Sequence, residues 1–460
     1  MNIIGISEGF HDGALALIQD SKIIYASHSE RYSRIKGDKW IHPDQWPKSK
    51  RYQPDVVAYY EKPFKKNLRR WWAGQSWQKP RLDYDVSFGH HESHAAAGFY
   101  TSTFDECNVL VVDAIGEWDT ISIWRGKDDK LKKITSWKYP YSLGLLYSAV
   151  TQRIGLKPNE DEYITMGMAA FGQPLYVREL EERLWENNHR GIGNLLPNAE
   201  DADLAASVQA LYEQELLKLV KMCPHQNLVL MGGCALNCSA NSKIKGKNIW
   251  IMPSPGDAGS SIGAAALVRK KKLRWRNPYI GYPIMNGVNV KTVVDELEKN
   301  HIVGIANGKA EFGPRALGNR SLLGDPRWEI KDTVNRIKRR QLFRPFAPAV
   351  LDEYADEYFT GPMNEYMQFI AKAKHDYKSV THVDGTARVQ VVKQECGSLL
   401  REILEEWYER TGCPMLLNTS LNIKGEPMIN TWEQAEEWSR KYNVPVFKKE
   451  KVDCRRMFLY

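Results

Sequence analysis

Apolar positions along this chain fall into short runs separated by turns. Residues 2–7 and 14–18 are apolar runs joined by SEGFHDG, and IIYASHSER follows, which predicts three strands near the N-terminus. The run NVLVVDAIGEWDTISIW (108–124) repeats the design: a buried strand, an acidic glycine turn, then a second strand. NLVLMGGCALN (227–237) predicts a strand entering a Gly-Gly turn and a helix of small residues. PSPGDAGSSIGAAAL (253–267) predicts a loop leading into another tight helix. Leu204, Val208, Leu211, Tyr212, Leu216, Leu219 and Val220 mark a helical stripe across 202–222 that reads as core packing.

Two strand–turn–strand units with charged glycine turns imply an internally duplicated α/β architecture. Actin- and sugar-kinase-like proteins hold nucleotide phosphates this way: backbone N–H groups of the turns face the phosphates, and glycine permits the close approach. RKKKLRWRNPYIGYP (269–283) interrupts the pattern with charge, Pro and Gly, and reads as a linker. Beyond it, HIVGIANGKAEFG and RVQVV predict strands of a second mixed α/β domain. The predicted division is therefore 1–275 and 284–460.

Composition fits a globular chain of 460 residues with 43% apolar content. No apolar run approaches the roughly 18–20 residues of a membrane span, and MNIIGISEGF lacks the basic and apolar regions of a signal peptide. Seven cysteines, an odd number without framework spacing, point to the reducing cytosol. Cys234 and Cys238, beside Gly-Gly, read as buried thiols rather than zinc ligands. The net charge of +8 is clumped in KKNLRRWW (65–72), SKIKGKN (242–248) and RKKKLRWRN (269–277). Trp71, Trp72 and Trp77 lie among the basic residues of 65–81. That mixture suits phosphates and stacked bases, and equally a solvated loop with Lys and Arg stems packed on indoles.

The stretch GHHESHAAAG (89–98) places His90 and His94 four apart, so on a helix they share a face and could share an ion. His91 points away from His90. Taken alone, the stretch is a weak metal signal and reads more readily as a helix start with exposed imidazoles. It is not a metallopeptidase motif, because H-E-x-x-H spacing is absent.

EFGPRALGNRSLLGDPR (311–327), FRPFAP (343–348), HVDGTARVQ (382–390) and NTSLNIKGEPM (418–428) settle a resemblance, and GFHDGA, GHHESHA, VVDAIGE, MGMAAFG, GGCALN and PGDAGSSIGAA agree in order and spacing. The chain resembles the O-carbamoyltransferases of the nodulation-factor and tobramycin carbamoyltransferase type over nearly its whole length. The last forty residues match poorly, and the first domain is shorter than the family usually has. The resemblance implies an actin/sugar-kinase-like domain that transfers the carbamoyl group. It also implies a C-terminal, YrdC-like α/β domain that forms carbamoyl-adenylate from carbamoyl phosphate and ATP, with Mg2+.

For single residues, the resemblance implies one metal, iron(II) or a similar divalent ion, held by His90, His94, Asp113 and Asp257. His91 would lie behind the ligands or face substrate. It implies a phosphate turn at Asp12 and Gly13, with His11 as base or phosphate ligand. Gly232, Gly233 and Asn237 would receive adenosine, and Glu117 ribose or acceptor. In the second domain Arg315, Arg320, Lys338, Arg340, Arg344 and Arg388 would bind polyanions, Lys338 and Arg344 acting in catalysis, while Asn418, Ser420 and Asn422 read the carbamoyl amide. The chain departs from the family at Gly13-Ala14, where Ala-Ser is usual, at Ala114 in place of glycine, and at Leu421 in place of phenylalanine.

A sugar kinase would not need the second domain, and a non-catalytic nucleic-acid binder would leave the phosphate motifs idle. The acceptor is a hydroxyl. The basic, Trp-rich segment favours a hydroxymethylated pyrimidine in DNA or a nucleotide, with Lys65, Lys66, Arg69, Arg70, Trp71 and Trp72 lining its approach. A small sugar or antibiotic-like metabolite is the alternative.

Overall fold

The computed structural model describes residues 1–284 and 289–447, so the end of the poorly matching C-terminal stretch lies outside the described residues. The chain packs as two compact units. The first comprises Met1–Gly9, Ala16–Ile23 and Pro54–Trp275, and the second Phe10–Leu15, Ile24–Gln53 and Arg276–Tyr460.

Strands β1 (Asn2–Ser7), β2 (Ala14–Gln19), β3 (Lys22–His28), β4 (Val56–Tyr59) and β5 (Val86–Ser87) form a sheet of order β3-β2-β1-β4-β5. β6 (Glu106–Val112), β7 (Asp119–Lys127), β8 (Lys130–Lys138), β9 (Asn227–Met231) and β10 (Asn248–Ile251) form another of order β8-β7-β6-β9-β10. The two orders correspond strand for strand. β1 pairs in parallel with β4, and β4 with β5, just as β6 pairs with β9, and β9 with β10. The repeated strand–turn–strand motif thus reflects a duplicated sheet.

The first unit's main helices are α1 (Pro63–Trp72), α2 (His90–Thr101), α3 (Leu143–Arg153), α4 (Asp201–Lys221) and α5 (Ser260–Arg269). α2 and α5 occupy equivalent places in the two repeats and pack on each other, α2 also on β6 and β9, α5 also on β1 and β4. Their small residues make this possible: a Cβ on Gly263 would fall 1.8 Å from the Ser93 carbonyl oxygen. Ala95, Ala96 and Ala97 on α2 and Ala264, Ala265 and Ala266 on α5 are fully buried in that contact layer. The apolar stripe of α4 is buried from Leu204 to Val220, which is the core role its periodicity predicts.

The second unit contains β11 (Tyr279–Ile284), β12 (Ile302–Ala306), β13 (Gly308–Glu311), β14 (Arg320–Gly324), β15 (Ala347–Leu351), β16 (Phe359–Thr360), β17 (Ala371–Ala373), β18 (Thr386–Ala387), β19 (Gln390–Val392), β20 (Met415–Ser420) and β21 (Val446–Phe447). Its principal sheet is mixed, with order β19-β15-β20-β14-β12-β21. Helices α6 (Val290–Asn300), α7 (Lys331–Ile337), α8 (Leu400–Thr411) and α9 (Trp432–Tyr442), with a short helix at Asp352–Tyr358, belong to the same mixed α/β unit. The core joins Leu322, Leu323, Val350, Leu416 and Leu417 of the sheet to Trp407 of α8 and Trp438 of α9.

One expectation needs correction. The end of the supposed linker 269–283 is strand β11, paired antiparallel with β13. Its partner lies well downstream, so the local mixture of Tyr, Gly and Pro gives no periodic sign of the pairing. Among the described residues no helix is long and apolar enough to cross a membrane.

Candidate active site

In the first unit, β6 delivers Asp113 at its end, and the Gly-Gly turn after β9 wraps that carboxylate. Gly232 sits at φ +91°, where a Cβ would fall 2.2 Å from the Val112 carbonyl oxygen, so only glycine fits there. Gly233 N–H then donates to Asp113 Oδ1 at 3.1 Å. Asp257 lies within PGDAG, in the short turn of helix leading into α5, and His90 and His94 lie one turn apart on α2.

One ligand atom from each of His90, His94, Asp113 and Asp257 lies within 4.8 Å of the others, and all four residues are buried. His90 Nε2 is 3.0 Å from Asp113 Oδ2 and 3.4 Å from Asp257 Oδ1. His94 Nε2 is 3.5 Å and 3.3 Å from the same two atoms. His94 Nδ1 donates to the Pro255 carbonyl at 3.1 Å, which leaves Nε2 as the ring's lone-pair atom. Two imidazole nitrogens, 3.1 Å apart, thus face two carboxylates. This donor set fits a divalent cation of mixed N/O preference.

The electrostatics point the same way. Burial works against charge on His90, but the Asp257 and Asp113 carboxylates with Glu61 outweigh it and hold the imidazole well above its ordinary value. Burial likewise opposes charge on Asp113, yet hydrogen bonds from His90 and His94 hold its carboxyl well below the usual range. The tetrad favours positive charge at its centre, which protons or a cation can supply.

Several neighbours position these groups. Glu117 takes the backbone N–H of His90 (3.1 Å) and of Lys62 (2.8 Å) on Oε1, so its carboxylate ties the starts of α1 and α2. Asn237 caps the short helix after it through Ala240 N–H and exchanges side-chain bonds with Gln209. His91 is buried beside the tetrad. Trp124 Nε1–H donates to Ser122 Oγ, whose hydroxyl is 2.8 Å from His91 Nδ1.

His11, Asp12 and Gly13 belong to a segment of the second unit. His11 Nδ1 donates to Asp12 Oδ2 at 2.9 Å, and Asp12 adopts φ +55° in the turn. Burial would raise the Asp12 carboxyl, but the His11 hydrogen bond and charge, with His28 and Lys36, hold it at about 2. Gly13 donates to the Asp38 carbonyl, and a Cβ there would lie 2.9 Å from Ser29 Oγ, so this crowded turn favours glycine at the departure from the family pattern.

The basic residues of the second unit divide into two groups. Lys338 is buried, and its ammonium donates to the Ser420 carbonyl, to Asn422 Oδ1 (3.0 Å) and to the Asn422 carbonyl (3.0 Å). Burial, then the charges of Arg340 and Arg344, push its pKa well below the ordinary amine value. Asn335 pins the chain here: Oδ1 accepts from Arg340 Nε, and Nδ2 donates to the Leu342 and Arg344 carbonyls. Ser420 Oγ in turn donates to Asn422 Oδ1 at 2.6 Å.

Arg320 behaves differently. It is fully buried, with Nη1 donating to the Asn307, Gly308 and Asn319 carbonyls and Nη2 to those of Tyr282 and Asn430. Burial lowers its pKa to about 10. Both terminal nitrogens are thus committed to the main chain, and Arg320 ties loops together rather than facing ligand. Asn418 is buried and donates to Gln390 Oε1 (2.6 Å) and the Ala316 carbonyl (3.2 Å), which links the motifs carrying Arg315 and Arg388; both arginines are half-buried.

The side chains of and around α1 differ in exposure. Trp71, Trp72 and Trp77 are each more than half exposed, and Lys65 is exposed. Lys66 instead turns inward and pairs with buried Glu61 at 2.6 Å. Glu61 was not singled out by sequence. Its signal is an acid set directly after the buried strand VVAYY.

Residues 46–192 and 187–266 match the carbamoyltransferase N-terminus family, and residues 294–452 the carbamoyltransferase C-terminus family. The C-terminal match therefore runs deeper into the last forty residues than sequence reading indicated. The chain is 32% identical to an uncharacterized protein (sll1178) of Synechocystis, covering 94% of this chain and 93% of that protein. It is 30% identical to the nodulation protein NolNO of Sinorhizobium fredii, covering 92% of this chain and 75% of that protein. Among solved structures, the (R)-2-hydroxyglutaryl-CoA dehydratase component A of Acidaminococcus fermentans aligns with a TM-score of 0.39 and 12% identity, over 58% of this chain and 97% of that one.

Proposed function

Because this chain belongs to the carbamoyltransferase family and is a carbamoyltransferase enzyme, we propose that it carbamoylates an acceptor hydroxyl in two steps, with carbamoyl-adenylate as the intermediate. The observation that carries this reading is the buried Lys338 ammonium, which donates to the Ser420 and Asn422 carbonyls and to Asn422 Oδ1 and lies near Arg340 and Arg344. A buried ammonium beside two half-buried guanidinium groups suits an anion, and carbamoyl phosphate and ATP are polyanions.

In the first step, water releases phosphate from carbamoyl phosphate. The resulting carbamate oxygen attacks the α-phosphorus of ATP, forming carbamoyl-adenylate and expelling pyrophosphate. Lys338, Arg340 and Arg344, with Arg315 and Arg388, offset the charge that gathers on the phosphoryl oxygens. Ser420, Asn422 and Asn418 are polar groups suited to the carbamoyl amide. Mg2+ accompanies ATP.

In the second step, the acceptor oxygen attacks the carbamoyl carbon and AMP leaves with the electron pair of the broken C–O bond. His11, its ring oriented by Asp12, is the candidate base for the acceptor proton. His90, His94, Asp113 and Asp257 would hold iron(II) or a similar divalent ion, which supplies Lewis acidity toward the adenylate carbonyl. For the acceptor, exposed Trp71, Trp72 and Trp77 beside Lys65 favour a base with a phosphate backbone.

Incubating the purified protein with ATP and carbamoyl phosphate should release pyrophosphate and phosphate. A panel of hydroxymethylated DNA, nucleotides and small sugars, read by mass spectrometry for one added carbamoyl group, tests the acceptor. ATP turnover indifferent to carbamoyl phosphate would count against the whole scheme.

A further inference from the structure

We propose that Glu61 is a positioning residue of the first unit's metal site, holding the His90 ring through Nδ1 while Nε2 faces the tetrad; this rests on the metal reading above. The two ligand imidazoles are held differently. His94 has a neutral partner, the Pro255 carbonyl, on its Nδ1. Among the described residues no acceptor lies at hydrogen-bond distance from the buried His90 Nδ1, and Glu61 Oε2 stands 3.9 Å from it. A ring that offers the Nε2 lone pair to an ion carries its hydrogen on Nδ1, and that N–H needs an acceptor. The buried Glu61 carboxylate is the group placed to take it.

The surroundings of Glu61 support this role. Its other oxygen accepts from Lys66 Nζ at 2.6 Å, and Lys66 also reaches the Gly9 carbonyl at 3.4 Å. Lys66 therefore holds one carboxylate oxygen in place and balances its charge, leaving Oε2 toward His90. The next residue, Lys62, is anchored by its backbone N–H to Glu117, the same carboxylate that takes the His90 N–H. Glu61 and His90 are thus fixed to one common point. Long charged side chains are rarely buried without a partner, and neither Glu61 nor Lys66 is one of the four grouped residues. Their place is behind a ligand.

The test uses the full-length chain, stripped of metal by chelator and titrated with Co2+, whose visible bands report the ligand field. Glu61→Gln should weaken Co2+ binding by about 10–100-fold and shift the bands. Glu61→Asp, which keeps the carboxylate, should restore most of the affinity. Lys66→Met, which releases one carboxylate oxygen but keeps the carboxylate, should weaken binding less than Glu61→Gln. Melting curves of the metal-free variants identify any that fail to fold, and the Asp variant then carries the comparison. Equal affinity and bands in wild type and Glu61→Gln would overturn this inference alone. So would equal losses in the Gln and Asp variants with unshifted bands. A wild type that binds no Co2+ would overturn the metal reading together with it.

Discussion

In the first unit two imidazoles and two carboxylates converge within 4.8 Å, and every hydrogen bond around them favours a positive charge at the centre. In the second unit a buried ammonium meets carbonyls, an amide oxygen and two guanidinium charges, and burial works against it. Both sites are polar, yet the proposed reading gives one a cation and the other an anion. The difference shows that the sites need not share a ligand. It also separates the chemistry: an electrophile can be activated at one and phosphates gathered at the other. Deleting a group from one site should therefore remove one partial reaction and spare the other.

The largest effect should come from Lys338→Met or Arg344→Ala. Either should reduce carbamoyl phosphate-dependent pyrophosphate release by about a thousandfold, the scale for losing a donor that acts on developing charge. AMP release from supplied carbamoyl-adenylate should continue. His94→Ala should do the reverse, losing bound metal by elemental analysis and the transfer step while adenylate formation persists. Loss of both partial reactions in either variant would dissolve the contrast between the sites.

Arg320→Met tests whether every buried cation of the second unit belongs to the anion site. Its guanidinium satisfies carbonyls from four separate stretches of chain, at 282, 307–308, 319 and 430. Removing it leaves those oxygens buried without their donor, so denaturant unfolding should show a loss of about 3–5 kcal/mol. A variant that unfolds normally but fails to bind ATP would instead return Arg320 to the phosphate site.

Much of this was legible in sequence, for physical reasons that can be named. The duplicated sheet announces itself because each repeat must bury alternate or continuous apolar strands and then turn on Gly and Asp, as in SEGFHDG and VVDAIGE. His90 and His94 share a face by helical spacing alone. Their carboxylate partners do not follow from spacing, since Asp113 and Asp257 are distant in the chain, and only the resemblance joined them. Arg320 could not be separated from Lys338 by sequence, because a motif arginine looks the same whether it meets carbonyls or phosphate. Lys65 and Lys66 are adjacent and chemically alike, yet one faces solvent and the other Glu61. Strand β11 was hidden because its pairing is long-range.

The contrast sharpens with pH. Lys338 has a folded pKa well below its unfolded value, so its charged form is penalised. That penalty on stability is absent above the unfolded pKa, grows as pH falls below it, and is complete below the folded pKa. A bound anion reverses the preference and raises the pKa in the complex. Pyrophosphate affinity should therefore be complete below the pKa of the free protein and fall as pH rises through that of the complex. Calorimetry in two buffers of different ionisation enthalpy should detect proton uptake on binding over that range, absent in Lys338→Met. Equal proton uptake in wild type and Lys338→Met would mean that the ammonium is already fully charged before binding.

The smallest effect concerns the surface beyond both sites, and it sharpens the contrast by asking whether charge outside them matters. Lys65 is exposed on α1, and Arg70 on the same helix donates through Nε to the Ser76 carbonyl. If the acceptor is DNA, replacing each by Ala should flatten the log–log salt dependence of duplex binding by about 0.9 per lost phosphate contact. Trp71→Ala should cost roughly 1–3 kcal/mol if the indole stacks on an extruded base. Lys66→Ala should leave the salt slope unchanged, because its ammonium faces Glu61 and not solvent. A slope that falls equally for Lys65 and Lys66 would contradict the inward placement of Lys66. Slopes untouched by any of these changes, with no carbamoylated base after digestion, would favour a small hydroxylated metabolite, for which a +8 chain offers only diffuse attraction to DNA.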